Sequence, residues 1–361
     1  VCAPGLEPVL AAELAALGLR PRSVSGGAEV RGGAGDLERM NLQLRTASRV
    51  LVRLGQVKAT SFAELVRKAR ALPFETVVRQ GELVAVRATC HKSRLYHSGA
   101  VAQRLHEALQ ERLGGVAPLS DHDEEAANPP QLLLARFDHD ACTVSADSSG
   151  ALLHRRGYRL VQSQAPLRET LAAAVLLAAG YTGKEPLLDP LCGSGTIPIE
   201  AALLARRRAP GLLRDFAFQR WPGHDPRRFE ALLAQACEQE LARAPAPIVG
   251  SDADSGAIAD ARANAVRAGV AEDLRLDPRP LREAHPGAAA PGLIATNPPY
   301  GVRIRGDLPR LYAELGDLAR RSGYRLAALA ADRRAPQRAG LKWKSLLRTR
   351  NGGLKVELLA T

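Results

Sequence analysis

Aromatic side chains are scarce: Phe, Trp and Tyr make up 4% of the 361 residues, although hydrophobic residues in all make up 46%. That apolar content is enough for a sizeable core, and the length suits two or three domains. No run of about 18 apolar residues occurs, so no membrane-spanning helix is expected. The stretch VLAAELAALGL is too short, and Glu13 interrupts it. Nothing near Val1 reads as a secretory signal. The five cysteines, Cys2, Cys90, Cys142, Cys192 and Cys237, include no C-x-x-C pair. This argues against a zinc site and a disulfide framework, and fits a reducing cytoplasm. The eight histidines show neither H-x-x-H nor H-E-x-x-H, so no metal is expected. Internal repeats and low-complexity tracts are also missing.

What is plentiful is positive charge. Fifty Lys and Arg face 38 Asp and Glu, a formal net charge of +12. Between Arg45 and Gly115, 13 basic residues face five acids, so two-thirds of the excess lies in a fifth of the chain. A concentrated positive field suits a polyanion such as RNA. Arginine solvated on helix surfaces would give the same composition.

The pattern divides near residues 150–160. Before it, elements are small and mixed. Residues 5–19 read as a helix with Leu6, Leu10, Leu14 and Leu17 on one stripe. LERMNLQLRTASRVLVRLG, residues 37–55, reads as a helix with a basic face. LVAVRATC reads as a strand. The helix SGAVAQRLHEALQERLGG is closed by Gly114 and Gly115. QLLLARFDHDACTVSADSSG reads as two strands joined at Asp138 to Asp140. After the divide, apolar strands PLLDPL, PIVGSDA and GLIATNPP alternate with helices near 196–207, 228–242, 255–268 and 308–322. YRLAALAA and GLKVELLAT read as the last strands. Such alternation predicts a doubly wound parallel sheet.

In DPLCGSGT, Asp189 ends a strand, Cys192, Gly193, Ser194 and Gly195 form a turn, and Thr196 opens a helix. Two glycines let backbone approach a ligand closely. No Lys-Ser/Thr pair follows, so this is not a P-loop, and Pro198 stands where a third dinucleotide-fold glycine would be. Asp252 ends the next strand, 63 residues after Asp189, where dinucleotide folds space the acid by about 20. The excess falls in an insertion over roughly 206–247 that carries RDFAFQRWPG. A carboxylate at that tip can bind both hydroxyls of a ribose. The set matches an S-adenosylmethionine site better than a dinucleotide site.

LIATNPPYG then runs a strand into Asn297, Pro298, Pro299 and Tyr300. The prolines fix an extended turn and donate no hydrogen bonds. The Asn297 side-chain oxygen and the Pro298 carbonyl remain as acceptors, suited to the two hydrogens of an exocyclic amino group. Tyr300 would stack on the ring that carries it.

With these motifs the chain resembles the class I S-adenosylmethionine-dependent methyltransferases of the N-P-P-Y type. NLQLRTASRVLVRLG, HKSRLYHSGAVAQRL, LHRRGYR, APLRETLAAA, LDPLCGSGTIPIEAA and the terminal NGGLKVELL sharpen this. They resemble the THUMP-domain RNA guanine-N2 methyltransferases, closest to the bacterial 23S rRNA branch. The resemblance implies a ferredoxin-like part over 1–45, a THUMP RNA-binding domain over 46–150 and a Rossmann-like catalytic domain over 151–361. It implies S-adenosylmethionine as cofactor, S-adenosylhomocysteine as product, no metal, RNA as partner and a cytoplasmic location. By family pattern, Asp189, Cys192 to Thr196 and Asp252 fall on the cofactor site, Leu167, Arg168, Glu169 and Thr170 on the helix start that closes over it, and Asn297 to Tyr300 on the catalytic motif. The family's adenine-contacting acid would fall near Pro280; Asp277, three residues earlier, is the candidate present. Alternatives are tRNA as substrate, adenine-N6 or glutamine-N5 as acceptor, or a non-catalytic RNA-binding factor that kept the fold.

Other residues stay open between two readings. Lys92, Arg94 and His97 suit an RNA contact or a solvated loop. Trp221 suits the core better than a base pocket. Glu200 suits the cofactor pocket or a plain helix turn. Cys192, within the cofactor turn, does not read as a nucleophile.

Overall fold

The computed structural model describes residues 1–115, 129–159, 167–288, 291–299 and 308–361. The elements run α1 (Glu7–Ala16), β1 (Arg22–Val24), β2 (Gly27–Glu29), α2 (Ala34–Gln43), β3 (Leu51–Lys58), α3 (Phe62–Ala69), β4 (Val84–His91), α4 (Ser98–Leu113), β5 (Gln131–Asp138) and β6 (Ala141–Asp147). Then follow α5 (Glu169–Ala178), β7 (Leu187–Asp189), α6 (Thr196–Ala205), α7 (Pro226–Glu238), β8 (Ile248–Asp252), α8 (Ser255–Ala268), β9 (Leu274–Pro278), β10 (Leu293–Thr296), α9 (Leu308–Ser322), β11 (Arg325–Ala330), β12 (Lys344–Asn351) and β13 (Leu354–Ala360).

Local signals account for many of these bounds. Leu6, which caps α1, and Leu10 and Leu14 within it are buried in one row. The Ser61 hydroxyl accepts from the Glu64 amide at the start of α3, and the Asp254 carboxylate accepts from Gly256 and Ala257 at the start of α8. Gly114 and Gly269, both left-handed, close α4 and α8. One expected element fails. The helix predicted over 37–55 stops at Gln43, and β3 begins at Leu51. Between them the chain turns inward, because Glu13 accepts from the amides of Arg45 (2.7 Å) and Thr46 (3.0 Å). The buried Arg45 guanidinium donates to the carbonyls of Arg208 (2.6 Å) and Leu203 (3.3 Å). Residues from Leu51 on then pair antiparallel with β6, so tertiary pairing overrides helical composition.

The N-terminal region carries a hairpin, β1–β2, and a four-stranded sheet of order β3-β6-β5-β4, in which only β4 and β5 pair parallel. The C-terminal region carries a seven-stranded sheet of order β12-β13-β11-β10-β7-β8-β9. Strands β7 to β11 are parallel, while β13 and β12 join antiparallel at one edge. From β7 the chain winds outward through β8 and β9, then returns to β10 on the other side. Strand order therefore reverses between β7 and β10, which opens a crevice at their carboxyl ends. The long insertion between β7 and β8 braces the two regions. Arg228 on α7 pairs with the buried Glu38 at 2.7 Å, the Gly211 amide donates to the Leu42 carbonyl at 3.0 Å, and the Phe218 amide donates to Ser148 at 3.1 Å. Trp221 is buried, its indole N–H donating to Gln131 Oε1 at 2.8 Å, so it is a core residue. Among the described residues, no helix is long and apolar enough to cross a membrane.

Candidate active site

The glycine turn and three strand tips meet in the crevice. Gly193 (φ +51°) and Gly195 (φ +84°) are both left-handed, a conformation that strains any residue with a Cβ. Their surroundings differ. A Cβ on Gly195 would come within 2.9 Å of Ala261 Cβ, so that glycine lets α6 approach α8. A Cβ on Gly193 would meet nothing within 4 Å, so open space lies in front of it. Asp252 at the tip of β8 reaches across to this turn. Its Oδ2 accepts from the Gly193 amide at 2.9 Å and its Oδ1 from the Asp254 amide at 3.0 Å. Asn264 Nδ2 donates to the Ser194 carbonyl at 3.1 Å, and the Cys192 amide donates to the Ser251 carbonyl at 2.9 Å.

Asp189, at the tip of β7, is 1% exposed. Burial pushes its carboxyl up to about 7, with the Asp252 charge adding to the effect and the Thr296 hydroxyl opposing it. Its Oδ1 accepts from Thr296 Oγ1 at 2.7 Å and from the Leu191 amide at 3.2 Å. The first of these bonds ties the tip of β10 to the tip of β7. Cys192 is buried too. Burial raises its thiol well above the ordinary range, and the carboxylates of Asp189 and Asp252 raise it further. Such surroundings disfavour a thiolate at this position.

Beyond Thr296 the chain enters the Asn-Pro-Pro turn. Asn297 is half-buried, Pro298 buried and Pro299 exposed. Asn297 Oδ1 is buried and has no hydrogen-bond partner among the described residues. Buried amide oxygens are rarely left unpaired, so this one stands out among the described residues. Tyr300 lies outside the described residues.

Residues 167–170 reach the same turn through a residue the sequence did not single out. Arg159 donates to Thr196 Oγ1 and to the Leu167 carbonyl (3.4 Å), and pairs with Glu169 at 3.4 Å. Leu167, Glu169 and Thr170 are buried, while Arg168 is exposed. Burial raises the Glu169 carboxyl, and its Oε2 lacks a partner among the described residues. The signal for Arg159 was its place in LHRRGYR. Thr296 carried none beyond standing before Asn297. Glu200 is buried within α6, where its Oε1 accepts from the Tyr158 hydroxyl at 3.2 Å and lies 3.5 Å from Arg156 Nε.

Two expected groups fit less directly. Asp277 sits beside Ser251 in register, and its carboxylate is taken up by Arg275 at 2.9 Å and Arg279 at 3.9 Å. Both arginines meet the same oxygen, Oδ2. Lys92, Arg94 and His97 fall in the connection between β4 and α4. All four of Lys92, Tyr96, His97 and His139 are exposed there, Tyr96 by 73%. Nearby, His91 Nδ1 and His139 Nδ1 each lie 2.9 Å from Asp138 Oδ1. These three side chains are close enough to share an ion, a grouping that no short spacing in the sequence reveals.

Comparisons with known proteins point the same way. A family model described as the RMKL-like methyltransferase domain matches residues 156–352, and one described as the RlmL ferredoxin-like domain matches residues 1–51. The Ribosomal RNA large subunit methyltransferase K/L of Syntrophotalea carbinolica is 36% identical over 98% of this chain. The chain spans about half of that relative's length, 52%. The Putative RNA methyltransferase slr0064 of Synechocystis sp. is 33% identical over 99% of this chain and 94% of its own length. Among solved structures, SMU.472, a putative methyltransferase complexed with SAH, superposes with a TM-score of 0.88 at 30% identity, covering 99% of this chain and 96% of that one.

Proposed function

We infer that this chain, which belongs to the family of RMKL-like methyltransferase domains, transfers a methyl group from S-adenosylmethionine to the exocyclic N2 of a guanine in structured RNA, with 23S rRNA as its substrate. The observation that carries this reading is the open, buried acceptor Asn297 Oδ1 at the tip of β10. The names of the ribosomal RNA relatives support the choice of RNA.

The residues present fit the cofactor. The open space before Gly193 is a cradle that any side chain would fill. Asp252 stands beside it with a carboxylate that can accept from ribose hydroxyls, and residues 167–170 are tied to the same turn through Arg159. When bound, S-adenosylmethionine supplies an electrophilic methyl on a cationic sulfur. The chain is left to bind and orient. Guanine N2 is a weak nucleophile because its lone pair is delocalised into the ring. Asn297 Oδ1 and the Pro298 carbonyl would accept its two hydrogens, fix its direction and raise its electron density. Neither amide oxygen is basic enough to keep the proton released on transfer, which passes to solvent. Tyr300 would stack on the base once it has left its own stack.

We assign the ferredoxin-like part to 1–45, the RNA-binding domain to 46–150 and the catalytic domain to 151–361. In this scheme Lys92, Arg94 and His97 contact the RNA backbone. The test is a single-turnover reaction of purified protein with 23S rRNA and with tRNA transcripts, products identified by mass. N2-methylguanosine in 23S rRNA is expected. Methylation of tRNA alone, or N6-methyladenosine as product, would overturn the substrate or the acceptor respectively.

A further inference from the structure

A cavity opens at the same edge of the large sheet, two strands from the Asn-Pro-Pro turn. It holds about 360 Å³ and lies between Pro4 and Gly5 of the N-terminal region, the end of β11, and the β12–β13 hairpin. Its position follows from the register. Ala330, the last residue of β11, pairs with Glu357, while the hairpin continues to the pair Asn351–Leu354. The hairpin therefore overshoots the catalytic edge by three residues, about 10 Å. With β10, β11 and β13 adjacent in the sheet, the overshoot stands roughly 10 Å to the side of β10. Gly5 closes the other wall. A Cβ there would fall 1.7 Å from the Arg348 carbonyl oxygen, so only glycine lets the N-terminal segment lie this close.

Three features of the lining have no internal purpose. Thr349 is 6% exposed, yet its hydroxyl oxygen is buried without a hydrogen-bond partner among the described residues. Arg350 and Lys355, paired in register near the hairpin tip, are exposed and have no ion-pair partner among the described residues. The two acids bordering the cavity are already engaged. Asp332 accepts from the Arg334 amide at 2.8 Å. Glu357 accepts from Arg333 at 2.7 Å, from Arg348 at 3.0 Å and from the Ser345 hydroxyl. What remains is an unused hydroxyl inside and two unused cations at the rim.

We propose that this cavity holds a nucleotide of the substrate RNA flanking the target base, with Thr349 hydrogen-bonding inside and Arg350 and Lys355 on its phosphates. The proposal rests on the reading of the chain as an RNA methyltransferase and adds where a neighbouring part of the strand lies. The geometry favours RNA because the cavity sits on the edge where the target base must enter, and because a strand lying there would bridge the N-terminal and catalytic regions. A base anchored here fixes the direction from which the strand approaches Asn297.

The test compares full-length wild type, Arg350→Ala/Lys355→Ala and Thr349→Val, using a 23S rRNA transcript and fluorescence anisotropy across a salt series. Removing one phosphate-bound cation should lower the slope of log affinity on log salt by about one. The double variant should thus lose about two, and bind RNA at least tenfold more weakly, with unchanged S-adenosylmethionine affinity. Thr349→Val keeps the shape and removes an unsatisfied hydroxyl. It should melt at or above the wild-type temperature, keep the wild-type salt slope, and bind RNA several-fold more weakly. An unchanged slope in the double variant overturns the site. So does an equal loss of slope on Lys184→Ala, an exposed lysine at the opposite end of the sheet. Wild-type RNA affinity in Thr349→Val also overturns it. Binding is read without methyl transfer, so a wild type that binds RNA but makes no N2-methylguanosine would refute the proposed reaction and leave this measurement interpretable.

Discussion

Replacing Asp189 with Asn should stabilise the cofactor-free protein at neutral pH, and the gain should vanish in acid. Asp189 is 1% exposed, and burial raises its carboxyl to about 7, against about 3.9 in an unfolded chain. A raised folded value means that the native state binds the proton more tightly than the unfolded state. The stability this confers is complete below the unfolded value and is lost as pH rises through about 7. A shift of about three units corresponds to about 4 kcal/mol between those limits. Asn keeps one oxygen to accept from Thr296 and Leu191 and carries no charge. The stability difference between variant and wild type should therefore grow by about 4 kcal/mol from pH 4 to pH 8. Urea unfolding at half-unit intervals of pH measures it. Asp147, raised to about 6 mainly by burial, titrates in both proteins and cancels in the difference. Parallel stability curves would show that Asp189 is not the buried, proton-holding group the structure makes it.

Three further outcomes follow from the site. Asn297→Ala should keep cofactor affinity and slow single-turnover transfer ~100-fold, the scale of removing one preorganised hydrogen bond; near wild-type rates would remove the amide from the chemistry. Asp252→Ala should weaken S-adenosylmethionine binding by ~1–3 kcal/mol in calorimetry, since its carboxylate both fixes Gly193 and faces the cradle. The two turn glycines should part company: Gly195→Ala should lower the unfolding free energy by more than about 1 kcal/mol through its clash with Ala261, while Gly193→Ala should chiefly cost cofactor affinity, and the reverse order would contradict the roles given to them.

The C-terminal half was legible because its signals are local. Helices expected over 255–268 and 308–322 stand as α8 and α9 with those bounds, each preceded and followed by turn chemistry visible in the sequence. Elements set by distant partners were not legible. The strand β12 is hidden because a bulge between Ser345 and Leu347 breaks its alternation, so KSLLRTRN shows no clean period of two. The strand β3 reads as helix because its sequence is compatible with one, and only pairing with β6, some 90 residues on, decides otherwise. The insertion before β8 looks like excess length, yet it is the brace between the two halves of the molecule.

The site divides along the same line. Left-handed glycines and paired prolines announce backbone shapes, so the turn at Gly193 and the turn at Pro298 could be placed from sequence. The contacts that finish the site join residues far apart: Thr296 to Asp189, 107 residues away, and Arg159 to Thr196, 37 away. No spacing rule predicts them. The acceptor at Asn297 shows the difference most clearly. Sequence supplies an amide oxygen in a turn that cannot donate. Only the fold shows that this oxygen is buried and left without a partner among the described residues. Leaving such a group unpaired costs about 1–3 kcal/mol, which a stable protein would be expected to relieve by a single substitution to an apolar residue of similar size. An unpaired amide oxygen of that kind, just past the tip of β10, is the group on which the proposed contact with the substrate amino group depends.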